Sequence, residues 1–180
     1  MHGASPPSPW FLAQRDRIAE AARRGPVLDL ACGRGRHALA AAALGAFTLG
    51  IDRDEPALRA LRAEAVRGKL PLACLRADLE TALGIPVKPA GCGVILVFRF
   101  LFRPLAPAIS AALAPGGLLL YETFTVAQRA LGSGPRRAEF LLEPGELPAL
   151  FPELEPLESW EGRSDGASPE CLARLAARRA

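Results

Sequence analysis

The chain is poor in the residues that usually carry metal and redox chemistry. Its 180 residues include only two histidines and four cysteines. Cys32, Cys74, Cys92 and Cys171 lie far apart with no CxxC pair. That spacing argues against a metal cluster or a secreted disulfide framework and for a reducing cytoplasm. No run approaches the ~18 uninterrupted apolar residues of a membrane span. The opening "MHGASPPSPW" lacks the basic and apolar regions of a signal peptide. A cytoplasmic chain without membrane contact is therefore expected. Lysine is nearly missing: only Lys69 and Lys88 interrupt an otherwise all-arginine set of basic residues. This reads first as compositional bias of the source. An excess of one charge is missing too, with 22 basic against 19 acidic residues and a net charge of +3. Nucleic acid is not expected as a partner, since a clustered basic face would be needed for it. There is no internal repeat and no Ser/His/Asp set.

What is present is alternation. After a loose, Pro-rich lead (residues 1–8), "WFLAQRDRIAEAARR" has helical spacing and stops at Gly25-Pro26. "VLDLA" reads as a first strand and "RHALAAAALGA" as a helix, with Gly45 near its end. "AFTLGI", "EPALRALRAEAVRG" and "LPLACLRA" follow as strand, helix and strand. Pro56 stands in the first turn of that helix and Gly68 just past its end. "CGVILVFRFL" has the length and apolarity of a fully buried strand. "PLAPAISAAL" is a short helix, "PGG" a turn and "LLLYETF" a fifth strand. Strict alternation predicts an α/β fold, a parallel sheet with helices on both faces, in one domain over residues 1–180. Residues 125–145 read as a long loop over the active site, with Arg129, Arg136 and Arg137 in it. "PGELPALF" is a short helix. "LEPLESW" and "ECLARLAAR" read as two closing strands, although local propensity makes the last one helical.

The chemistry sits at the strand ends. Strands one to three end at or beside Asp29, Asp52 and Asp78, where open parallel sheets bind ligands. Gly33 and Gly35 permit a tight turn and close approach of backbone to ligand at a helix N-terminus. Asp52 lies 17 residues beyond Gly35, about where a second-strand acid reaches ribose hydroxyls. Gly33-x-Gly35-x-x-Ala38 also fits a dinucleotide fingerprint, so an NAD(P)-dependent oxidoreductase is the alternative reading. Asp29 separates the two. A carboxylate over the glycine loop repels a diphosphate and attracts a ligand with an ammonium and a sulfonium, as S-adenosylmethionine has.

The stretch "VLDLACGRGRHALAAAALGAFTLGIDRDEPAL" resembles the first two motifs of class I S-adenosylmethionine-dependent methyltransferases. "RADLE" resembles their third, and "LAPGGLLLYETF" their segment around strand five. "SPW" and "RPL…YETFT…EFLLEPGEL" resemble the small tellurite-resistance-type (TehB-like) branch. The resemblance covers about residues 8–150. It implies a three-layer Rossmann-like fold whose mostly parallel sheet has seven strands, the last one antiparallel. It implies S-adenosylmethionine as cofactor and S-adenosylhomocysteine as product. It gives Asp29, Gly33 and Gly35 to the methionine end, Asp52 to the ribose and Asp78 to the adenine amino group, and it counts Ala31 among the cofactor-binding residues. Arg53 and Leu79 flank the adenine, and Phe98 and His37 neighbour the cofactor. Arg36 either meets the cofactor carboxylate or is an exposed helix residue.

Methyl transfer is an in-line displacement that needs alignment above all, and a base only if the acceptor must shed a proton. The expected acceptor is a small molecule, and the narrower expectation is an anion or an oxyanion such as tellurite. A non-catalytic binding module with this fold is a third reading. The expected assembly is a monomer or homodimer, with no metal. Acceptor-side candidates are Trp10, Arg99, Phe102, Arg103, Tyr121 and Glu122. Each has a plainer role: Trp10 as a staple for the first helix, Tyr121 as core, Phe102 as core. Arg99, an arginine at the end of an apolar run, needs a partner, and Glu122 is the expected one. Arg103, four residues on, is expected to reach the same region as Arg99.

Overall fold

In a computed structural model, the chain is described over residues 6–81, 83–165 and 168–180. His2 and most of the Pro-rich lead lie outside the described residues. Seven strands form one sheet: β1 (Val27–Leu30), β2 (Thr48–Asp52), β3 (Leu72–Arg76), β4 (Cys92–Phe98), β5 (Leu113–Phe124), β6 (Leu154–Arg163) and β7 (Cys171–Arg179). Their spatial order is β3-β2-β1-β4-β5-β7-β6. The first five pair in parallel, while β7 pairs antiparallel with both β5 and β6. The strand order reverses between β1 and β4, so the switch point that favours ligands falls there.

Among the described residues six α-helices flank the sheet: α1 (Pro9–Ala13), α2 (Arg15–Ala21), α3 (Arg36–Ala43), α4 (Glu55–Arg67), α5 (Ala106–Ala112) and α6 (Glu146–Ala149). Strand alternation sends Leu28, Leu30, Ile95, Val97, Leu119 and Tyr121 to one face, into a core with Ile109 of α5 and Leu147 of α6. It sends Val27, Val94, Leu96, Phe98, Leu118 and Leu120 to the other, against Phe11, Ile18 and Ala41. Strand β4 is buried at every position, which is why it reads as one apolar run.

Three local expectations are corrected. The first helix breaks at Gln14, which caps α1 and leaves α2 to end in a 3-10 turn at Ala22–Arg24. "PGG" is not a turn ahead of the fifth strand but an excursion inside β5. Cys92 pairs with Leu113 and Val94 with Leu118, so the extra residues bulge out, and Gly116 takes φ +72° to allow it. Residues 125–145 are a tethered segment rather than an open loop, with 3-10 turns at Val126–Leu131 and Ala138–Phe140 and a bridge from Thr125 to Leu142. Segment 171–179 is a strand despite its Ala, Leu and Arg content. Its backbone satisfies two neighbours, and Leu172, Ala173, Leu175, Ala176 and Ala177 are buried.

No helix among the described residues is long and apolar enough to cross a membrane. No group of three or more His, Cys, Asp or Glu side chains among them is placed to hold a metal ion.

Candidate active site

Strand β1 ends in a tight turn: Ala31 takes φ +52°, Gly33 φ +53° and Gly35 φ +72°. A side chain at Gly35 would be strained by that φ and would have to displace Leu61 of α4, whose Cδ1 lies 2.3 Å from the position of a Cβ. The turn is also tied from outside. Oδ2 of Asp52 accepts the Gly33 N–H at 2.7 Å, and its Oδ1 accepts that of Asp54 at 2.8 Å. Asp29 is 2% exposed and accepts the Ala38 N–H at 3.0 Å from the first turn of α3. Burial pushes its pKa up to about 7, against which that N–H and nearby Arg36 act.

Two cavities meet at Ala31. One, of about 200 Å3, is lined by Ala31, Asp52, Arg53, Asp78, Leu79 and Phe100, among others. Here Arg53 donates to Glu80 at 2.8 Å and lies 3.9 Å from Asp78. The other, also about 200 Å3, is lined by Asp29, Ala31, Gly35, Arg36, His37 and Phe98, with Arg99 at its edge. The strand-end acids are thus divided between two neighbouring pockets that share Ala31. Phe100 carries no signal in the sequence, because it stands just past the end of β4 between Arg99 and Leu101 and reads as one more apolar residue of that run.

A third cavity, about 530 Å3, opens beside the second and shares Arg36 and Arg99 with it. Its walls come from Pro6–Pro9, from Glu122, and from the β6–β7 hairpin through Trp160, Arg163, Glu170 and Arg174. Nothing in the sequence pattern pointed to those hairpin residues. Glu122 is 1% exposed, and its partner is Arg174, at 2.8 Å, whose guanidinium lies 4.6 Å from the Trp160 ring centre. Arg99 holds Glu170 through two bonds of 2.5 Å. The expected Arg99–Glu122 ion pair is therefore replaced by two pairs reaching onto the hairpin. Only backbone joins the two residues, Arg99 N–H to Glu122 C=O at 2.8 Å. Arg99 has φ +59°, a conformation that costs an L residue on the order of 1–3 kcal/mol. Arg36 is half-buried and makes no ion pair within 4.0 Å among the described residues. Burial and the charge of Arg99 lower its pKa.

Four expected acceptor-side residues lie elsewhere. Trp10 is 6% exposed, packs 6.0 Å from Phe98 and donates its indole N–H to Glu158 at 2.8 Å. It is a staple from α1 to β6. Tyr121 neighbours Glu122 in sequence, so strand alternation turns it to the opposite face. There its hydroxyl donates to the Phe100 carbonyl at 3.0 Å, and it lies 5.7 Å from Phe151. Arg103 is bound to Glu146 and to the carbonyls of Glu139 and Leu141. It therefore ties the 125–145 segment down and does not reach the region of Arg99. Phe102 and Arg103 line a fourth cavity, of about 420 Å3, with Arg137 and Phe140; it shares Glu80 with the pocket of Asp52 and Asp78 and no residue with the cavity of Glu122. Arg137 is paired with Glu139, Arg136 donates to Gly132 C=O, and Arg129 is exposed.

A methyltransferase domain family matches residues 27–117, just over half of the chain and the whole of both small pockets' strand ends. The chain belongs to the class I S-adenosylmethionine-dependent methyltransferases. Its fold is that of TehB from Haemophilus influenzae, with a TM-score of 0.73 and 21% identity over 92% of this chain and 62% of that one. It is also that of a SAM-dependent methyltransferase from Methanosarcina mazei, with a TM-score of 0.72 and 15% identity over 97% and 99%. In sequence the methyltransferase is 44% identical over 153 residues to the ribosomal protein L11 methyltransferase of Dechloromonas aromatica, covering 83% of this chain and 43% of that protein. It spans less than half the length of the curated L11 methyltransferases it matches.

The family cofactor is S-adenosylmethionine, and the pockets of this methyltransferase fit it. Asp29 is a buried carboxylate that makes no ion pair within 4.0 Å among the described residues. A cationic ligand offsets the cost of that charge, whereas a diphosphate would add to it.

Proposed function

We propose that this chain transfers the methyl group of S-adenosylmethionine to a small-molecule acceptor bound in the 530 Å3 cavity. The observation that carries the reading is adjacency. The pocket of Asp52 and Asp78 shares Ala31 with that of Asp29, and the latter shares Arg36 and Arg99 with a third, larger cavity. In this reading Asp52 takes the ribose hydroxyls, Asp78, Leu79 and Arg53 the adenine, and Asp29 the cofactor's amino group. Arg36, Gly33, Gly35, His37 and Phe98 surround its methionine end. The cofactor supplies an electrophilic methyl carbon on a sulfonium that departs as a neutral thioether. The protein's part is to hold the acceptor aligned, which contributes up to roughly 7–11 kcal/mol.

The narrower reading, an anionic acceptor, now rests on Arg36. Of the other cavity arginines, Arg99 closes on Glu170 and Arg174 on Glu122, which leaves the exposed Arg163 as the second cation of the wall. A protein acceptor is the second reading, favoured by the relatives named as ribosomal protein L11 methyltransferases.

The test is calorimetric titration with S-adenosylhomocysteine, followed by a radiolabelled methyl-transfer screen. The screen holds matched anionic, neutral and cationic small acceptors together with purified ribosomal protein L11. Binding without turnover on any of these would favour the non-catalytic module. A preference for cationic amines ends the anionic reading, and turnover on L11 alone ends the small-molecule one.

A further inference from the structure

The segment Pro6-Pro7-Ser8-Pro9 has one backbone donor, the Ser8 N–H, because proline has none. That donor goes to Nε2 of His37 at 3.1 Å, in a buried contact. The His37 ring is itself fixed. It stacks on Phe98 with centroids 3.8 Å apart and tilts against Phe11 at 5.2 Å. Burial, helped by the charges of Arg36 and Arg99, holds its pKa down at about 3, so Nε2 keeps its lone pair at any working pH. The ring carries its proton on Nδ1. The Ser8 hydroxyl has a separate task, accepting the Phe11 N–H at 3.1 Å and capping α1. The other tie on the segment, Arg36 to the Pro6 carbonyl, is long at 3.5 Å.

His37 therefore faces two ways. Its ring lines the pocket of Asp29 and Gly35, and the chain it grips lines the cavity of Glu122 and Arg174. We infer that His37 is a positioning residue: through the Ser8 amide it fixes the Pro6–Pro9 wall of the acceptor cavity to the floor of the cofactor pocket. A ligand seated against His37 and Phe98 steadies that wall, so the acceptor cavity is completed over an occupied cofactor pocket. The coupling rests on the methyltransferase reading of the two pockets, while the latch stands on the contacts alone.

The experiment is amide hydrogen exchange of residues 9–14 in the full chain, with and without S-adenosylhomocysteine, alongside calorimetry with the same ligand. His37→Phe keeps an aromatic ring on Phe98 and removes the acceptor. Ser8→Pro removes the donor, leaves His37 untouched and suits the local backbone, φ −62° and ψ 146°. Ser8→Ala removes only the capping hydroxyl, and His37→Gln returns an acceptor at similar reach. Exchange is expected to be at least about tenfold faster in His37→Phe and Ser8→Pro than in Ser8→Ala and His37→Gln. The ligand is expected to slow exchange in the wild type, Ser8→Ala and His37→Gln only. The latch is overturned if Ser8→Pro exchanges like Ser8→Ala, or if His37→Gln is as fast as His37→Phe. The coupling is overturned if the ligand slows exchange equally in all five chains. Failure of the wild type to bind S-adenosylhomocysteine instead overturns the methyltransferase reading, and the ligand-free comparison still decides the latch.

Discussion

At the scale of single residues, Asp29 makes a claim about pH with a fixed sign. Its folded pKa of about 7 lies above the ordinary 3.8, so between those values the folded chain holds a proton that the unfolded chain has released. Stability from this group is therefore highest at low pH and falls as pH rises toward 7, by up to about 1.4 kcal/mol per pH unit. A ligand that brings an ammonium to the carboxylate favours the charged form. Its affinity is expected to rise with pH up to about 7 and then level off. Asp29→Asn should flatten that profile, and calorimetry with S-adenosylhomocysteine between about pH 5.5 and 8.5 reads both. A flat wild-type profile would remove Asp29 from the cationic end of the ligand. Asp52 carries a second prediction. Asp52→Ala loses its bond to the Gly33 N–H as well as the proposed ribose contact, so affinity should drop by roughly 1.5–3 kcal/mol. Unchanged affinity in a folded variant would leave Asp52 as a turn residue.

At the scale of elements, the β6–β7 hairpin is joined to the rest of the site by two ion pairs of different standing. Arg174→Met strands the Glu122 carboxylate, 1% exposed, so it should cost roughly 3–5 kcal/mol. Arg99→Met breaks a pair in which the arginine is 38% exposed, which should cost less than about 1 kcal/mol. Denaturant unfolding of the two variants compares them, and equal losses would put Arg99 in the buried framework too. Neither pair was legible in the sequence, since their members lie 52 and 71 residues apart and only the folded sheet brings them together. Parallel β1 to β5 were legible because each buried strand is a short apolar run and each helix between them has its own stop. Asp29, Asp52 and Asp78 were legible for the same reason, as acids that close such runs. Strand β7 was not legible from propensity: Ala, Leu and Arg favour helix, and its two neighbours on the sheet decide otherwise. Tyr121 was misplaced because period-two alternation was not carried through to the strand's end, where Glu122 takes the site face and Tyr121 the core.

At the scale of the whole molecule, the two small pockets and the larger cavity differ in origin. Residues 27–100 line the former, whereas Pro6–Pro9 and the β6–β7 hairpin complete the latter. Removing residues 170–180 should accordingly do more than open the acceptor cavity, because β6 pairs with no strand except β7. Circular dichroism of that truncated chain should show loss of cooperative unfolding, and a sharp transition with intact cofactor affinity would contradict this. The same strand order has a consequence for synthesis. Strand β7 is made after β6 yet is inserted between it and β5, so β6 leaves the ribosome before its own partner strand exists. The nascent chain must keep "LEPLESWEGR" from other edges until its successor arrives. Its acidic residues, together with Pro156 and the bulge beside it, suit a strand that has to wait.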